Sequence, residues 1–339
     1  METKWVKIEI TEDLTQRYEA EISEAAELLA AGELVAFPTE TVYGLGGNAL
    51  LADSAKKIYA AKGRPSDNPL IVHVAEVEQI NEFAVLDARA EKLMRALCPA
   101  PLTCVLPKKD CIPMAVTGGL QTVAVRIPNH PVAQALLKKC CLPVAAPSAN
   151  LSGKPSPTCG SHVYHDLAGK IAMVLDSGQA GVGVESTVLD LTAKTSVILR
   201  PGAVTAEMLE PFLGTVLMGG KKISGKEIPK APGMKYKHYA PKGEITLFEP
   251  QDLVRAYSAN PGADIVVLAT ADVLAAINPV RSFCLGGDKD DLTAAAHNLF
   301  AALRYCDEIG AETIYAQKFA EEGIGVALMN RLGKAAAKA

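Results

Sequence analysis

The stretch of sequence with the most candidate chemistry is PTETVYGLG, residues 38–46. Thr39, Thr41 and Tyr43 alternate along it, so an extended backbone would turn their side chains to the same side. The glycines that follow would let a ligand approach the backbone closely. An ordinary glycine-rich turn between a strand and a helix explains the same residues, so this segment alone does not distinguish a site from a turn.

Two cations follow in KGRPSDNPL, residues 62–70. Lys62 and Arg64 are predicted to lie just past a helix end, in a loop stiffened by Pro65. They would clamp a phosphate or carboxylate, because Arg offers a bidentate fork and Lys a point charge. The alternative is that both cations complement the helix dipole. His73 lies on the next predicted strand, where a hydrogen-bonded core histidine is the alternative interpretation.

Two arginines close apolar strands further along the chain, Arg126 in VAVRIP and Arg200 in VILRP. A lone buried Arg is costly, so each either emerges at a strand end or meets an anion. PSANLSGKPSPT, residues 147–158, places Ser148 and Asn150 on one side of an extended chain. Both are suitable partners for phosphate or ribose, although a capping turn rich in Ser and Asn explains them equally.

Ser186 follows a glycine-rich stretch and has the same two interpretations. The chain contains no Walker A loop, no GxGxxG fingerprint and no GxSxG elbow. Cys159, His162 and His165 lack a second cysteine or a well-placed carboxylate, so no metal site is predicted there. The residues by themselves predict an α/β protein that binds a phosphorylated, anionic ligand in its first domain.

The apolar segments place these motifs at strand ends and in loops. Residues 1–213 alternate between predicted strands and helices and form the predicted first domain. Residues 214–243 are rich in Gly, Lys and Pro without apolar periodicity, which predicts a functional linker or lid. Residues 244–339 alternate as βαβ units, which predicts a small parallel domain.

The composition fits two packed domains, with 339 residues of which 49% are hydrophobic. A pI of about 5.9 disfavours a chain that mainly grips nucleic acid, although a local basic cleft stays possible. The N-terminus lacks an apolar segment and no apolar run approaches membrane-spanning length, so neither a signal peptide nor a membrane partner is predicted. Eight cysteines without a CxxC pair favour reduced thiols and a cytoplasmic location.

Seven motifs together resemble one family, the threonylcarbamoyl-AMP synthases. PTETVYGLG, KGRPSDNPLIVHV, TVAVRIPNHP, PSANLSGKPSPT, ESTVLDL and ILRPG resemble the YrdC-type catalytic domain. PGMKYKHYAP resembles the linker of the long, two-domain form. The resemblance covers nearly the whole chain and implies a YrdC-like twisted mixed sheet with helices, followed by a small Rossmann-like parallel α/β domain.

This resemblance implies an L-threonylcarbamoyladenylate synthase, which is a nucleotidyltransferase. Such an enzyme forms threonylcarbamoyl-AMP and pyrophosphate from ATP, bicarbonate and L-threonine, for threonylcarbamoyladenosine modification of tRNA next to the anticodon. The implied downstream partner is the tRNA threonylcarbamoyl transferase machinery, and direct tRNA binding stays open. Mg²⁺ would enter with ATP through its phosphates, without protein ligands, and no prosthetic group is implied.

The resemblance also implies roles for individual residues. Lys62 and Arg64 are the implied catalytic residues. The implied ATP-binding residues are Lys62, Arg64, Arg126, Ser148, Asn150, Arg200 and His238. The implied residues on the threonine and bicarbonate side are Thr39, Tyr43, Arg64, His73, Thr122 and Ser186. His238 and Tyr239 belong to the implied lid.

The chain departs from the family pattern at two places. Ala231 stands where Ser often precedes PGM, and Ala100 stands where Gly often precedes Pro101. Neither change removes a charged group, so activity is still expected.

Two other functions fit parts of the sequence. An RNA-binding module would use the cationic cleft for a nucleic-acid backbone, but the acidic pI and the lack of interleaved aromatic and basic residues disfavour it. A carbamoyl-phosphate enzyme of the hydrogenase-maturation type would also carry acylphosphatase and zinc-finger segments, and neither is visible here.

Overall fold

The computed structural model describes residues 2–219, 229 and 239–337. The chain divides into two compact units. The first comprises Met1–Ser152, Pro157–Ala180 and Glu185–Lys235, and the second comprises Gly153–Ser156, Gly181–Val184 and Tyr236–Ala339. Between residues 219 and 239, only residue 229 is described. This stretch lies inside the predicted linker, residues 214–243, whose limits stay a prediction.

The first unit is built on one large sheet. Its strands are β1 (Lys4–Lys7), β2 (Val35–Phe37), β3 (Gly44–Asn48), β4 (Ile71–His73), β5 (Leu102–Pro107), β6 (Thr122–Arg126), β7 (Val144–Ala145), β8 (Met173–Asp176), β9 (Thr187–Asp190), β10 (Ser196–Arg200) and β11 (Val216–Met218). Its helices are α1 (Leu14–Arg17), α2 (Glu19–Ala30), α3 (Ala52–Lys62), α4 (Ile80–Phe83), α5 (Ala88–Leu97), α6 (Met114–Thr117), α7 (Pro131–Cys140), α8 (Gly160–Leu167) and α9 (Ala206–Leu213).

The order of the strands in this sheet is β1-β8-β2-β3-β7-β4-β6-β5-β9-β10-β11. The sheet contains parallel pairs such as β4 with β6 and antiparallel pairs such as β5 with β6. The predicted mixed sheet is therefore confirmed. Apolar residues of its strands and helices form buried clusters, among them one around Leu45 and Val72 and another around Phe37 and Leu136.

Local sequence signals bring the candidate residues to strand and helix ends. Pro38 follows β2 and has no backbone N–H to extend the ladder, so the chain turns away at Thr39. α3 ends at Gly63, whose φ of +61° is the left-handed conformation that glycine adopts without a Cβ clash. Lys62 is thus the last residue of the helix rather than past its end, while Arg64 lies in the following loop.

The second unit carries a smaller sheet. Its strands are β12 (Glu244–Phe248), β13 (Ile265–Ala269), β14 (Arg281–Cys284) and β15 (Thr313–Gln317), and its helices are α10 (Pro250–Ala259), α11 (Ala271–Ile277), α12 (Leu292–Glu308) and α13 (Gly325–Ala336). The strand order is β12-β15-β13-β14, and all of its pairs are parallel. The predicted Rossmann-like parallel domain is confirmed. No helix in the described part of the chain has the length and apolarity required to cross a membrane.

Candidate functional site

Lys62 fixes the loop that follows β7. Its side chain is buried, with the residue 2% exposed, and Nζ donates to the carbonyl oxygens of Ser148 and of Asn150, the latter at 2.6 Å. The Ser148 hydroxyl donates to Asn150 Oδ1 at 2.5 Å. Three residues predicted to contact ATP therefore form one hydrogen-bonded group, although Lys62 is 86 and 88 residues away from the other two.

The loop after β2 forms a second group. The Thr39 hydroxyl donates to the carbonyl of Val42 at 2.6 Å and lies 2.9 Å from the Thr41 hydroxyl. Arg126 Nη2 approaches Thr39 Oγ1 at 3.5 Å from the end of β6. Arg126 Nε is buried and has no hydrogen-bond partner among the described residues.

An acidic residue belongs to this second group, although the site predicted from the sequence does not include it. Glu40 Oε2 lies 2.8 Å from Arg126 Nη2. Both side chains are largely buried. The signal in the sequence is a single carboxylate between two threonines, which by itself also suits an exposed turn.

Arg200 forms a third group with Ser186. Arg200 Nε donates to the Ser186 carbonyl at 3.1 Å, and Nη2 donates to its hydroxyl at 3.1 Å. The Ser186 hydroxyl also lies 2.8 Å from the hydroxyl of Thr103. Thr103 is the register partner of Arg126 across β5 and β6, so the second and third groups lie on neighbouring strands.

His73 is the register partner of Arg126 at the common end of β4 and β6. Its ring is buried, and Nδ1 lies 3.2 Å from the carbonyl of Ile71. Burial, and then the charge of Arg126, lower the pKa of His73 to about 3. The ring is therefore neutral at neutral pH and does not add to the positive charge of the group.

Tyr43 lies in a fourth group with Asp176, a residue that the sequence does not single out. The Tyr43 hydroxyl is 2.6 Å from the carbonyl of Gly178 and 3.0 Å from Asp176 Oδ1. Burial and the neighbouring Asp176 carboxylate raise its pKa well above the usual range. The phenol is therefore a neutral hydrogen-bond donor. Main-chain bonds link this group to the others, because Ala149 N donates to Tyr43 O at 2.8 Å.

The structure places two further predicted residues in a loop and at the start of a strand. Arg64 Nη2 donates to the carbonyls of Asn68 at 3.3 Å and Pro69 at 3.2 Å, within its own loop. Thr122 begins β6 opposite Pro107, four residues from Arg126, and is thus about 13 Å away along an extended strand. The proposed roles of Arg64 and Thr122 in binding stay predictions.

Of the two predicted lid residues, the structure describes only Tyr239. His238 lies outside the described residues. Tyr239 is buried in the second unit, with its ring centroid 5.2 Å from that of Phe300 and the Arg331 guanidinium carbon 5.8 Å from its centre. Its role as a lid stays a prediction.

The site offers cations, hydroxyls and amides rather than metal ligands. Within the described ranges, no three His, Cys, Asp or Glu side chains are gathered as they would be around a metal ion. All eight cysteines are free thiols. Buried cations with hydroxyl groups beside them are suited to phosphate oxygens, which they stabilise by charge-assisted hydrogen bonds.

Comparisons with known proteins agree on one family. A family model described as telomere recombination matches residues 27–202, and one described as threonylcarbamoyl-AMP synthase, C-terminal domain, matches residues 204–337. The threonylcarbamoyl-AMP synthase of Bacillus subtilis is 45% identical, over 99% of this chain and 98% of that protein. The chain belongs to the threonylcarbamoyl-AMP synthase family.

Other relatives extend this result. The threonylcarbamoyl-AMP synthase of Pyrococcus abyssi is 46% identical over 92% of each chain. A crystal structure of P. abyssi Sua5 complexed with L-threonine has a TM-score of 0.88 and 43% identity, over 99% of this chain and 98% of that one. Escherichia coli YciO, at 23% identity and a TM-score of 0.54, covers 62% of this chain and shows a shared fold.

The family determines the type of reaction. Its members form threonylcarbamoyl-AMP, so this chain is an enzyme of the nucleotidyltransferase type that serves threonylcarbamoyladenosine biosynthesis in tRNA. The resemblance carried by the seven motifs is thereby confirmed.

Proposed function

We propose that the four groups of the first unit together bind ATP beside L-threonine and bicarbonate and join them as threonylcarbamoyl-AMP. The observation that carries this proposal is the burial of Lys62, Arg126 and Arg200 in a single unit, each beside a hydroxyl or carbonyl group. The related P. abyssi Sua5 was crystallised with L-threonine, which supports threonine as a substrate here.

ATP is assigned to the cationic residues. The proposed contacts of its phosphates and ribose are those with Lys62, Arg64, Arg126, Ser148, Asn150, Arg200 and His238. The position of the buried Arg126 guanidinium at the end of β6, beside the Thr39 hydroxyl, supports this assignment. Mg²⁺ would arrive with ATP as part of the substrate, because the described residues offer no cluster of metal ligands of their own.

Threonine and bicarbonate are assigned to the hydroxyl-rich side. The proposed contacts are those with Thr39, Tyr43, Arg64, His73, Thr122 and Ser186. The neutral state of His73 and of the Tyr43 phenol supports hydrogen bonding rather than charge pairing with the substrate.

The proposed reaction has two steps. The neutral threonine amine attacks the carbon of bicarbonate, a C–N bond forms, a C–O bond breaks, and water leaves with the amine proton. A carbamate oxygen then attacks the α-phosphorus of ATP, and the bond to the bridging oxygen breaks to release pyrophosphate. Neither step needs a covalent nucleophile from the protein.

Positioning and electrostatics would supply the catalysis. The carbamate and the triphosphate are both anionic and repel each other. A cation about 4 Å from a phosphate oxygen gains roughly 4 kcal/mol at an effective dielectric constant near 20. Several buried cations therefore offset this repulsion and hold the reacting atoms in line.

The linker over residues 214–243 is proposed to close over the ligands and protect the mixed anhydride from water. Most of that segment lies outside the described residues. Deletion of residues 214–339 should then reduce turnover or let product escape, as measured by retained against hydrolysed product; an unchanged enzyme would remove the proposed role. The product is proposed to pass in the cytoplasm to a tRNA threonylcarbamoyl transferase.

The purified chain should release pyrophosphate from ATP only when threonine and bicarbonate are both present. Mass spectrometry of the product from a series that omits each substrate in turn provides the measurement. Equal pyrophosphate release without threonine would contradict the proposal. Turnover of carbamoyl phosphate in place of threonine and bicarbonate would favour the hydrogenase-maturation type of reaction instead.

A further inference from the structure

Two short segments of the chain belong to the second unit, although their neighbours in sequence belong to the first. They are Gly153–Ser156 and Gly181–Val184. Each adjoins a residue that is proposed to contact a substrate, because the first segment begins three residues after Asn150 and the second ends two residues before Ser186. The position of each segment therefore bears on the position of one site residue.

The first segment is held by a buried arginine of α12. Arg304 Nη2 donates to the carbonyl of Pro155 at 2.7 Å, and Ala240 N donates to the carbonyl of Gly153 at 3.2 Å. Both Arg304 and Pro155 are buried. A hydrogen bond from a charged donor is stronger than a neutral one, and more so where water is shielded, so this contact fixes the segment on the helix.

The second segment lies directly against the same helix. His297 Nδ1 is 2.9 Å from the carbonyl of Gly181 and donates to it, because a carbonyl oxygen only accepts. Gly183 has a φ of +82°, and a Cβ added there would lie 2.4 Å from the Cα of His297. Glycine is the residue that permits such a close approach of backbone to backbone. Residue type and hydrogen bond therefore both keep the segment on α12.

The path from each segment to the site is short. Ser152, the residue before the first segment, donates from its main-chain N to the carbonyl of Lys62 at 2.8 Å. Lys62 in turn donates to the carbonyl of Asn150 at 2.6 Å. One residue separates the second segment from Ser186, to which Arg200 donates twice. A shift of either segment along α12 therefore moves a group that is proposed to bind a substrate.

We infer that Arg304 and His297 are positioning residues for the reaction, and that α12 sets the positions of Asn150 and Ser186 through the two segments. Each side chain acts through the main chain of its segment and not on a substrate. This inference rests on the proposed function, in which Asn150 serves ATP and Ser186 serves threonine. It assigns the second unit a role in substrate binding, with one side chain of α12 for each substrate.

The inference predicts that the two side chains affect different substrates. His297→Ala removes the donor to Gly181 and should raise the KM for threonine about 3- to 30-fold, the range for residues that act on a site through connected structure, without raising the KM for ATP. Arg304→Met should raise the KM for ATP by a similar factor and leave the KM for threonine unchanged. A loss of stability alone would change neither KM at a temperature where the chain stays folded.

Pyrophosphate release by the full chain, with one substrate varied and the others saturating, gives both KM values and kcat. His297→Asn should restore the KM for threonine, because its amide Nδ2 donates from about the place of the imidazole Nδ1. Gly183→Ala should reproduce the effect of His297→Ala, since the added methyl group forces the segment off the helix. Gly310→Ala is the matched control, because Gly310 has a φ of +65° but an added Cβ would meet nothing within 4 Å.

A double-mutant cycle tests the route through Ser186. In a Ser186→Ala background, His297→Ala should lose most of its effect on the KM for threonine, because the hydroxyl that it positions is gone. Additive effects of the two substitutions would contradict the inference. The control Gly310→Ala should be additive with Ser186→Ala.

Three further outcomes separate the possible failures. An unchanged KM for threonine in His297→Ala, or equal increases of both KM values, would overturn the inference. If Arg304→Met does not fold, His297→Ala still decides, since it removes a partly exposed side chain. Normal KM values in both Asn150→Ala and Ser186→Ala would instead overturn the proposed function, because these residues would then serve neither substrate.

Discussion

The two units of the chain bury positive charge in different ways. In the first unit the buried cations Arg126 and Arg200 lie at the ends of strands, and Lys62 lies at the end of a helix. Their donors meet carbonyls, hydroxyls and one carboxylate from other elements. Arg126 and Arg200 lie on two strands of one sheet, and Lys62 is hydrogen-bonded to the loop that follows a third strand.

In the second unit the buried arginines lie inside helices. Arg331 in α13 is fully buried, donates to Asn330 Oδ1 at 3.1 Å and lies over the ring of Tyr239. Arg304 in α12 donates to the carbonyl of Pro155 at 2.7 Å. These contacts hold chain segments together, whereas those of the first unit belong to the groups proposed to bind the substrates.

The sheet of the second unit can be compared with the usual position of ligands on parallel sheets. Parallel sheets bind ligands at the carboxyl ends of their strands. In the second unit, a cavity of about 430 Å³ instead lies at the amino ends of β12 and β15, beside Glu244 and Glu312. This difference fits the proposal that the chemistry belongs to the first unit.

Of the substitutions that test the comparison between the two units, Lys62→Met should have the largest effect on turnover. It removes the ammonium that holds the Ser148 and Asn150 carbonyls and is proposed to hold a phosphate. Turnover should fall about 100- to 1,000-fold, the usual loss when a preorganised donor is removed. Pyrophosphate release under saturating substrates provides the measurement. Lys56→Met, on the exposed face of the same helix, is the control, and comparable losses in both variants would refute the special position of Lys62.

Phe300→Leu should have a smaller effect that is confined to the second unit. Phe300 is fully buried against Tyr239, so the shorter side chain should reduce the free energy of unfolding by about 1 to 3 kcal/mol. Scanning calorimetry should show the change in the transition of this unit. Turnover at a temperature where the unit stays folded should be nearly normal. A loss of turnover as large as that of Lys62→Met would remove the distinction between the units.

The last effect appears only on acidification and concerns the stability of the first unit. His73 has its pKa lowered from 6.5 to about 3 by burial, so the unfolded chain binds a proton that the folded chain does not bind. Stability should therefore be complete above pH 6.5 and fall on acidification towards pH 3, by up to about 1.4 kcal/mol per pH unit. Burial lowers the pKa of His130 as well, and it acts in the same direction.

His73→Gln should flatten this dependence, as measured by urea unfolding at pH 7, 5.5 and 4.5. The exposed His165 serves as the control, because His165→Gln should keep the slope of the wild type. An unchanged slope in His73→Gln would show that the ring is protonated without cost in the folded chain and is therefore not buried as described.

The local elements follow closely from the sequence. Pro38 and Gly63 end β2 and α3 because proline lacks a donor and glycine adopts positive φ. Apolar alternation located the strands that end at His73, Arg126 and Arg200. The parallel sheet of residues 244–339 followed from strand and helix alternation, which allows few other arrangements.

The partners inside the site did not follow from the sequence. No pattern links Lys62 with the carbonyls of Ser148 and Asn150, because 86 and 88 residues separate them. Asp176 is one of many carboxylates until the fold places Tyr43 beside it. Thr122 and Arg126 lie on the same strand, but only the length and register of β6 show that they lie at its opposite ends.

The sequence by itself determined the kind of chain: two α/β domains, a family with an AMP-linked product, and cations and hydroxyls in the first domain. Those properties depend on local backbone preference and on residue type, which each short segment carries. Only the tertiary structure decided which groups meet and which stay unsatisfied. Glu40 is the clearest case, because whether a carboxylate is solvated or buried beside Arg126 depends on residues that are distant in the chain.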